Sequence, residues 1–368
     1  MGREGSPKPL VFDLVRADIS RPSVDLAFML KPGIGYIHVT NFMETTSHEV
    51  QDALDKFQAS NGGLRGLVID LRGNPGGLLN EAVNMADKFL QKGQIVVSQR
   101  GRAFPDQVYR VTNGEEGTYK YPIVVIVNRN TASAAEIDSG ALQDHDRALI
   151  VGETTFGKGL VQTVFQIPEN TGLALTTYHY YTPSGRLIQR SYDHVSLYDY
   201  YYVRDDAKKA DKSNLEVKLT DSGSTVYGGG VITHDEQMSV PDRNDFHASL
   251  LQHYACFDFA KHYMSDHTVN KDFVVDDAIL QQFKDFLKAN QIDYTDAQLT
   301  PVLDWVKTNI KAELFTWQFG QLEGLKVRAQ ADPEIGKAMT YLPEALALAD
   351  RTSDQPKTAS LSQSGSVQ

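Results

Sequence analysis

The sequence predicts an α/β domain followed by a helical C-terminal region, and three observations carry that reading. Short β-branched runs alternate with helical patterns through the first half of the chain. Several of those runs have no polar interruption, as strands covered on both faces do. Beyond about Pro241 the strand pattern gives way to apolar residues at helical spacing.

Residues 34–42, "IGYIHVTNF", and 65–71, "RGLVIDL", read as strands: short, β-branched and bounded by glycine. Between them, "SHEVQDALDKFQAS" places Val50, Leu54 and Phe57 on one helical face behind Ser47 as the expected cap. A second helix is expected across "LLNEAVNMADKFL". The strand "YPIVVIVN" (121–128) leads through a small-residue turn into "SAAEIDSGALQDH", which reads as a helix. From about Arg190 to Asp221 the pattern loosens: "YDYYYV" reads as an inserted strand or loop and "RDDAKKADKSN" as a solvated turn. "DFVVDDAILQQFKDFLKAN" then gathers Val275, Ile279, Phe283, Phe286 and Leu287 on one side of a helix, and "TPVLDWVKTNIKAELF" continues in that style. Residues 351–368 have little to bury and are expected to be disordered.

At 368 residues, with 41% apolar and 23% charged residues, the composition is that of an ordinary globular protein long enough for two domains. The formal charge of −11 argues against nucleic acid or an anionic membrane surface as a general partner. The one cysteine, Cys256, excludes an intrachain disulfide and a multi-cysteine zinc site. No run approaches the ~18 apolar residues of a membrane span, so no membrane insertion is expected. The N-terminus lacks the basic-then-apolar pattern of a signal peptide.

Three stretches carry chemistry. In "VIVNRNTASAAEI", Ser133 sits where a buried strand meets a helix. It reads as an N-cap, or as a nucleophile presented to the unpaired N–H groups and positive end of that helix. A nucleophilic serine needs a base, and the histidines form no recognisable triad. Lys158, in "GETTFGKGLVQ", is the candidate. Near neutral pH an ordinary lysine is protonated, so it is expected to be desolvated among apolar atoms. Gly157 and Gly159 remove the bulk that hinders close packing, and Gln162 on the same strand face would orient the amine. The third stretch, "LVIDLRGNPGGLLNEA", runs from a strand through Gly76 and Gly77 into a helix. It matches neither common nucleotide-binding glycine pattern, whereas consecutive glycines before a helix can offer N–H donors to an oxyanion.

These motifs, with "GIGYIHVTNF", "NTASAAEIDSGALQDHDRA", "VGETTFGKGLVQT" and "YTPSGRLIQ", occur in an order that resembles the carboxyl-terminal processing (tail-specific) proteases, a family of Ser/Lys endopeptidases, from about residue 10 to 188. Lys158 follows Ser133 by 25 residues and Gln162 follows Lys158 by 4, separations that fit the family.

The resemblance implies a crotonase-like α/β core of repeated strand-strand-helix units with a helical C-terminal extension. It makes Ser133 the nucleophile, Lys158 the general base and Gln162 the residue positioning the lysine. Backbone amides of Ala134, Gly76 and Gly77 would form the oxyanion hole. Glu136, Asp144 and Thr155 match supporting positions; on their own, Glu136 reads as a favourable first-turn acid and Asp144 as part of a solvated face. His38 stands where many relatives have arginine. Residues 1–18 are expected to be the end of a PDZ domain and its linker, with Met1-Gly2 an artificial start. Residues 19–241 would be the protease core, with a loosely patterned insertion at 190–232, and 242–350 the helical region. Protein or peptide substrates, no cofactor, a homodimer through the C-terminal helices and a periplasmic or other extracytoplasmic location are implied. The rival expectations are a silent or gated core, or an apolar-ligand-binding protein on the same fold.

Two further patterns are set aside. "HEVQD", from His48, lacks the second histidine of a zincin motif. His247, His253, Cys256, His262 and His267 crowd one helical stretch. They read as helix-face residues, and no metal is expected.

Overall fold

The computed structural model describes residues 7–17, 21–114, 121–193, 195–202, 215–238 and 244–353. Its centre is a six-stranded sheet. The hairpin β1 (Val24–Lys31) and β2 (Ile34–Val39) leads through helix α1 (Thr46–Ala59) to β3 (Gly66–Asp70). Helix α2 (Leu79–Ala86), β4 (Ile95–Arg100) and β5 (Gln107–Arg110) follow, then β6 (Ile123–Val127), α3 (Ala134–Asp144) and β7 (Leu149–Gly152). The long hairpin β8 (Leu160–Ile167) and β9 (Thr171–Tyr181) joins β4 and β5 in a four-stranded sheet of order β5-β4-β9-β8. Next come the short helix α4 (Leu197–Tyr202), the ribbon β10 (Val217–Leu219) and β11 (Thr225–Tyr227), and β12 (Glu236–Gln237). The central sheet runs β1-β2-β3-β6-β7-β12, antiparallel only between β1 and β2.

The uninterrupted strands are covered on both faces, and side-chain alternation decides what covers each. Leu67, Ile69, Ile123, Val125 and Ile150 join a core with Val50, Leu54, Met85, Ile137 and Leu142 of α1–α3. Val68, Val124, Ile126 and Val151 point the other way. They meet Ile335 and Ala338 of α11 (Pro333–Thr340) and Leu342 and Ala345 of α12 (Leu342–Ser353). The last helices are thus the third layer of the sheet rather than an appendage. Between them and β12 lie α5 (Asp245–Gln252), α6 (Ala255–Tyr263), α7 (Asp277–Ala289), α8 (Asp296–Leu299), α9 (Leu303–Phe319) and α10 (Gln321–Ala331). These helices supply most of a separate core around Phe259, Phe283, Leu287, Val306 and Ile310. The expected stripe is buried as read, except that Phe286 is only partly covered.

Three local expectations are corrected. Thr45, not Ser47, is the N-cap of α1. The tyrosine run forms helix α4 rather than a strand or loop, because burial of Tyr200 overrides the strand preference of tyrosine. Asp144 is buried, not solvated: it pairs with Arg186, itself buried, and accepts from the Ser184 amide at 2.9 Å. Residues 7–17 form neither helix nor strand, and Val11, Phe12, Leu14 and Val15 are exposed. The charged stretch 204–214 and the tail from 354 lie outside the described residues, and α12 continues to Ser353.

Candidate active site

Ser133 ends the turn after β6 and caps α3. Its backbone stands at φ 57°, ψ −116°, a positive φ that a non-glycine residue adopts only under constraint. The constraint is visible on both sides. Thr131 is buried and donates its hydroxyl to the Leu71 carbonyl at 2.8 Å, and the Ala132 amide donates to the Asn74 carbonyl at 2.8 Å. From the other side the Gly73–Gly77 turn closes in. A Cβ on Gly76 would lie 2.7 Å from the Ser133 Cβ and 2.7 Å from the Ala132 carbonyl oxygen, so glycine is required there.

The donors expected for an oxyanion separate into two kinds. The Gly76 N–H is engaged, donating to Asn74 Oδ1 at 2.8 Å, while Asn74 Nδ2 donates to the Val39 carbonyl at 2.9 Å. Gly76 is therefore a spacer against Ser133, not a donor. The N–H groups of Gly77 and Ala134 donate to no protein group among the described residues. The second is the first residue of α3, where helix geometry leaves amides unpaired.

Lys158 lies between two closely packed glycines, but its side chain is exposed. A Cβ on Gly157 would lie 2.4 Å from the Gly230 carbonyl oxygen, and one on Gly159 would lie 2.8 Å from the Gln189 amide nitrogen. These glycines dock the loop onto 188–190 and 230; they do not seat the lysine in an apolar pocket. The expected desolvation is absent for that reason, and no hydrogen bond or ion pair of the Lys158 amine occurs among the described residues. Gln162 is likewise exposed, on β8 just past a register shift between Val161 and Gln162. The serine and lysine side chains are not in hydrogen-bond contact.

What joins the two segments is Glu136. Fully buried, its carboxylate accepts four hydrogen bonds. Thr155 Oγ1 and the Gly157 amide donate to Oε1 at 2.6 and 2.7 Å, and the Ser133 and Lys158 amides donate to Oε2 at 2.8 Å each. Burial pushes this carboxyl up to about 7, against the lowering effect of those donors. Thr155 in turn accepts from the Ile232 amide at 2.8 Å, anchoring the loop to the segment before β12. Asp144 sits at the opposite end of α3, roughly 16 Å from Ser133 at 1.5 Å per residue, and braces the helix rather than the site. His38 Nδ1 lies 2.6 Å from Asp25 Oδ1. Burial disfavours the charged ring, but that contact and the nearby Asp70 charge hold His38 above its ordinary value.

Arg72, which the sequence reading passed over, packs beside the glycine turn. It pairs with Asp70 at 2.6 Å, Asp332 at 2.9 Å and Glu334 at 2.6 Å. Its distant partners are what hid it. The crowded histidines do not converge: His247 is buried at 4.2 Å from the Trp305 ring, His253 bonds back to the Ser249 carbonyl, and Cys256 is buried in the helical core.

Comparison with known proteins fits this arrangement. Residues 33–195 match the model of peptidase family S41, and residues 246–300 match a helical unit described as "Probable PDZ-protease, C-terminal helical domain". A carboxy-terminal-processing protease of Bartonella bacilliformis is 44% identical over 191 residues, covering 51% of this chain and 43% of that protein. A carboxyl-terminal-processing protease of Synechocystis is 40% identical over 191 residues, covering 50% and 43%. The chloroplastic carboxyl-terminal-processing peptidase 2 of Arabidopsis thaliana is 40% identical over 153 residues, covering 42% and 29%. The matches thus span less than half the length of these relatives. Among solved structures, a photosystem II D1 C-terminal processing protease is 30% identical with a TM-score of 0.41, covering 57% of this chain and 45% of the other. With the S41 match lying over Ser133 and Lys158 and 44% identity to one named relative, residues 33–195 belong with peptidase family S41 and the chain is similar to the carboxyl-terminal processing proteases.

Proposed function

We propose that the chain is a serine endopeptidase that cuts flexible or partly unfolded proteins near their C-termini. The observation that carries this reading is the shared Glu136 anchor. It ties the strained Ser133 and the Lys158 loop to one atom, beside two unengaged amides, Gly77 and Ala134. Ser133 Oγ attacks the scissile carbonyl carbon while the neutral Lys158 amine takes its proton. The Gly77 and Ala134 amides stabilise the oxyanion. Collapse expels the new amino terminus, which takes the proton from Lys158, and leaves an acyl ester on Ser133. Water, deprotonated by Lys158, attacks that ester. The bond to Ser133 Oγ breaks, the oxygen takes the proton back from Lys158, and the acid product ionises to the new carboxylate.

In the structure Lys158 extends into solvent, so the amine must turn inward when substrate covers the site, with Gln162 orienting it. A crotonase-like core, an upstream PDZ domain, a homodimer through the helical region and action outside the cytoplasm complete the proposal. They rest on the family resemblance, and the names of the chloroplastic relatives agree with the last.

The test is cleavage of an unstructured polypeptide by the intact chain, Ser133→Ala and Lys158→Ala, with labelling by a fluorophosphonate. Activity and labelling lost in Ser133→Ala, and activity lost in Lys158→Ala, support the reading. Cleavage that survives Ser133→Ala removes it.

A further inference from the structure

Lys158 is exposed as a side chain, yet its backbone surroundings are held on every side. Glu136 takes the Gly157 and Lys158 amides. The Gly157 carbonyl accepts from the Arg190 amide at 3.0 Å and from the Tyr200 hydroxyl at 3.3 Å. The Gly159 amide donates to Gln189 Oε1 at 3.0 Å, and the Gly159 carbonyl accepts from the Tyr180 amide at 2.8 Å. Gln189 Nε2, in turn, donates to the Tyr200 hydroxyl at 3.0 Å. One phenol therefore touches the carbonyl before Lys158 directly and orients the acceptor for the amide after it.

The ring of Tyr200 is fixed as firmly as its hydroxyl. It is 8% exposed, meets Phe156 edge-on at 5.8 Å between centroids, and carries the Arg190 guanidinium 4.5 Å above its face. Arg190 also lies 5.2 Å from the Phe156 centroid and donates to the Tyr200 carbonyl at 2.5 Å. Such stacking adds to burial in holding a side chain in place. Helix α4, within the loosely patterned stretch after "GRLIQ", is thereby clamped onto the loop that carries the lysine.

We propose that Tyr200 is a positioning residue: through Gly157, Gln189 and Phe156 it fixes the backbone from which Lys158 reaches Ser133. This rests on the Ser133/Lys158 reading above. A long flexible side chain aims correctly only if its base is immobile, and a misplacement of about 1 Å can cost ~100-fold in rate.

The experiment compares Tyr200→Ala, Tyr200→Phe and Ser133→Ala with the intact chain by peptide-cleavage kinetics and amide hydrogen exchange. Tyr200→Ala is expected to lower kcat about tenfold or more, with KM within about twofold. Exchange at Gly159 is expected to quicken while exchange across β6 stays unchanged. Tyr200→Phe, which keeps the ring and loses the hydroxyl, is expected to fall between. Cleavage surviving in Ser133→Ala would bring down the reading of the site and this role with it. A silent Ser133→Ala beside wild-type kcat in Tyr200→Ala overturns the Tyr200 role alone, as does exchange that quickens equally in β6. Should Tyr200→Ala not fold, Tyr200→Phe decides by the same readouts. Where turnover is too slow to measure, exchange at Gly159 decides.

Discussion

The backbone N–H groups of Ser133 and Lys158 donate to a single atom, Oε2 of Glu136, each at 2.8 Å. Two segments distant in sequence are thus held to one carboxylate. Replacing Glu136 with Gln puts an NH2 donor where a carboxylate oxygen now accepts. Each buried amide left facing a donor costs about 1–3 kcal/mol. Glu136→Gln is expected to lower the melting temperature and to reduce kcat about tenfold or more; kinetics and thermal unfolding on one preparation check both. Unchanged kcat would contradict the tether.

Glu136 also sets an expected pH dependence. Its folded-state value, about 7, lies above that of an exposed glutamate near 4.3. Its contribution to stability is therefore fully present below about 4 and declines as pH rises toward 7. Activity runs the other way, because a proton on the carboxyl takes an acceptor position from the tethered amides. The rate is expected to fall as pH drops through about 7. Rate profiles from pH 5 to 9 should show an inflection near 7 in the intact chain that Glu136→Gln lacks.

Asp138 offers a separate test on the same helix. It is fully buried, neither carboxyl oxygen has a hydrogen-bond partner among the described residues, and burial pushes the group up to about 8. A raised carboxyl destabilises the fold increasingly from about pH 4, where the unfolded chain ionises, up to about 8. Asp138→Asn keeps the shape and removes that titration. Its stability gain is expected to grow from pH 4 to pH 8 by a few kcal/mol, at most roughly 1.4 kcal/mol per pH unit crossed. Urea unfolding at several pH values measures it, and a gain independent of pH would refute it.

Arg72 binds the glycine turn to the junction of α10 and α11. Burial works to raise the Asp70 carboxyl, but the Arg72 charge and hydrogen bonds outweigh it and hold Asp70 below its usual range. Arg72→Met leaves that buried carboxylate with the Tyr36 hydroxyl at 2.8 Å but without its countercharge, a loss on the order of 3–5 kcal/mol. Hydrogen exchange is expected to quicken in α11 as well as in β3. Protection retained in α11 would mean that the apolar contacts alone hold it.

Gly76→Ala asks whether the turn sets the serine. At φ 95° and 2.7 Å from the Ser133 Cβ, an alanine must shift either its own backbone or Ser133. A strained backbone costs about 1–3 kcal/mol. The catalytic loss is expected to exceed the stability loss when kcat and chemical unfolding are compared.

The strands and helices of the α/β half were legible because burial on both faces leaves a plain mark, as in the run from Ile123 to Val127. Ser133 and Lys158 drew notice through local patterns, and both their backbone amides meet at Glu136. What escaped depends on partners brought from afar. Glu136 looked like a first-turn acid because nothing nearby announces the amides of 157 and 158. Asp144 looked solvated because Arg186 lies 42 residues away. The two glycines around Lys158 were read correctly as marks of close approach, but the surface approached is 188–190 and 230 rather than the serine. The tyrosine run misled because strand preference speaks of a generic pleated surface, whereas Tyr200 answers to one loop.

The two-sided burial of β3 and β6 has a consequence in time. Val68, Val124 and Ile126 find their cover in Ile335, Ala338, Leu342 and Ala345. A ribosome delivers the strands well before those helices. Until then one face of the sheet is bare, and Arg72 lacks Asp332 and Glu334 beside the glycine turn. A nascent chain with Ser133 and Lys158 already translated still lacks the layer that closes the sheet, and the fold waits for the helices that follow.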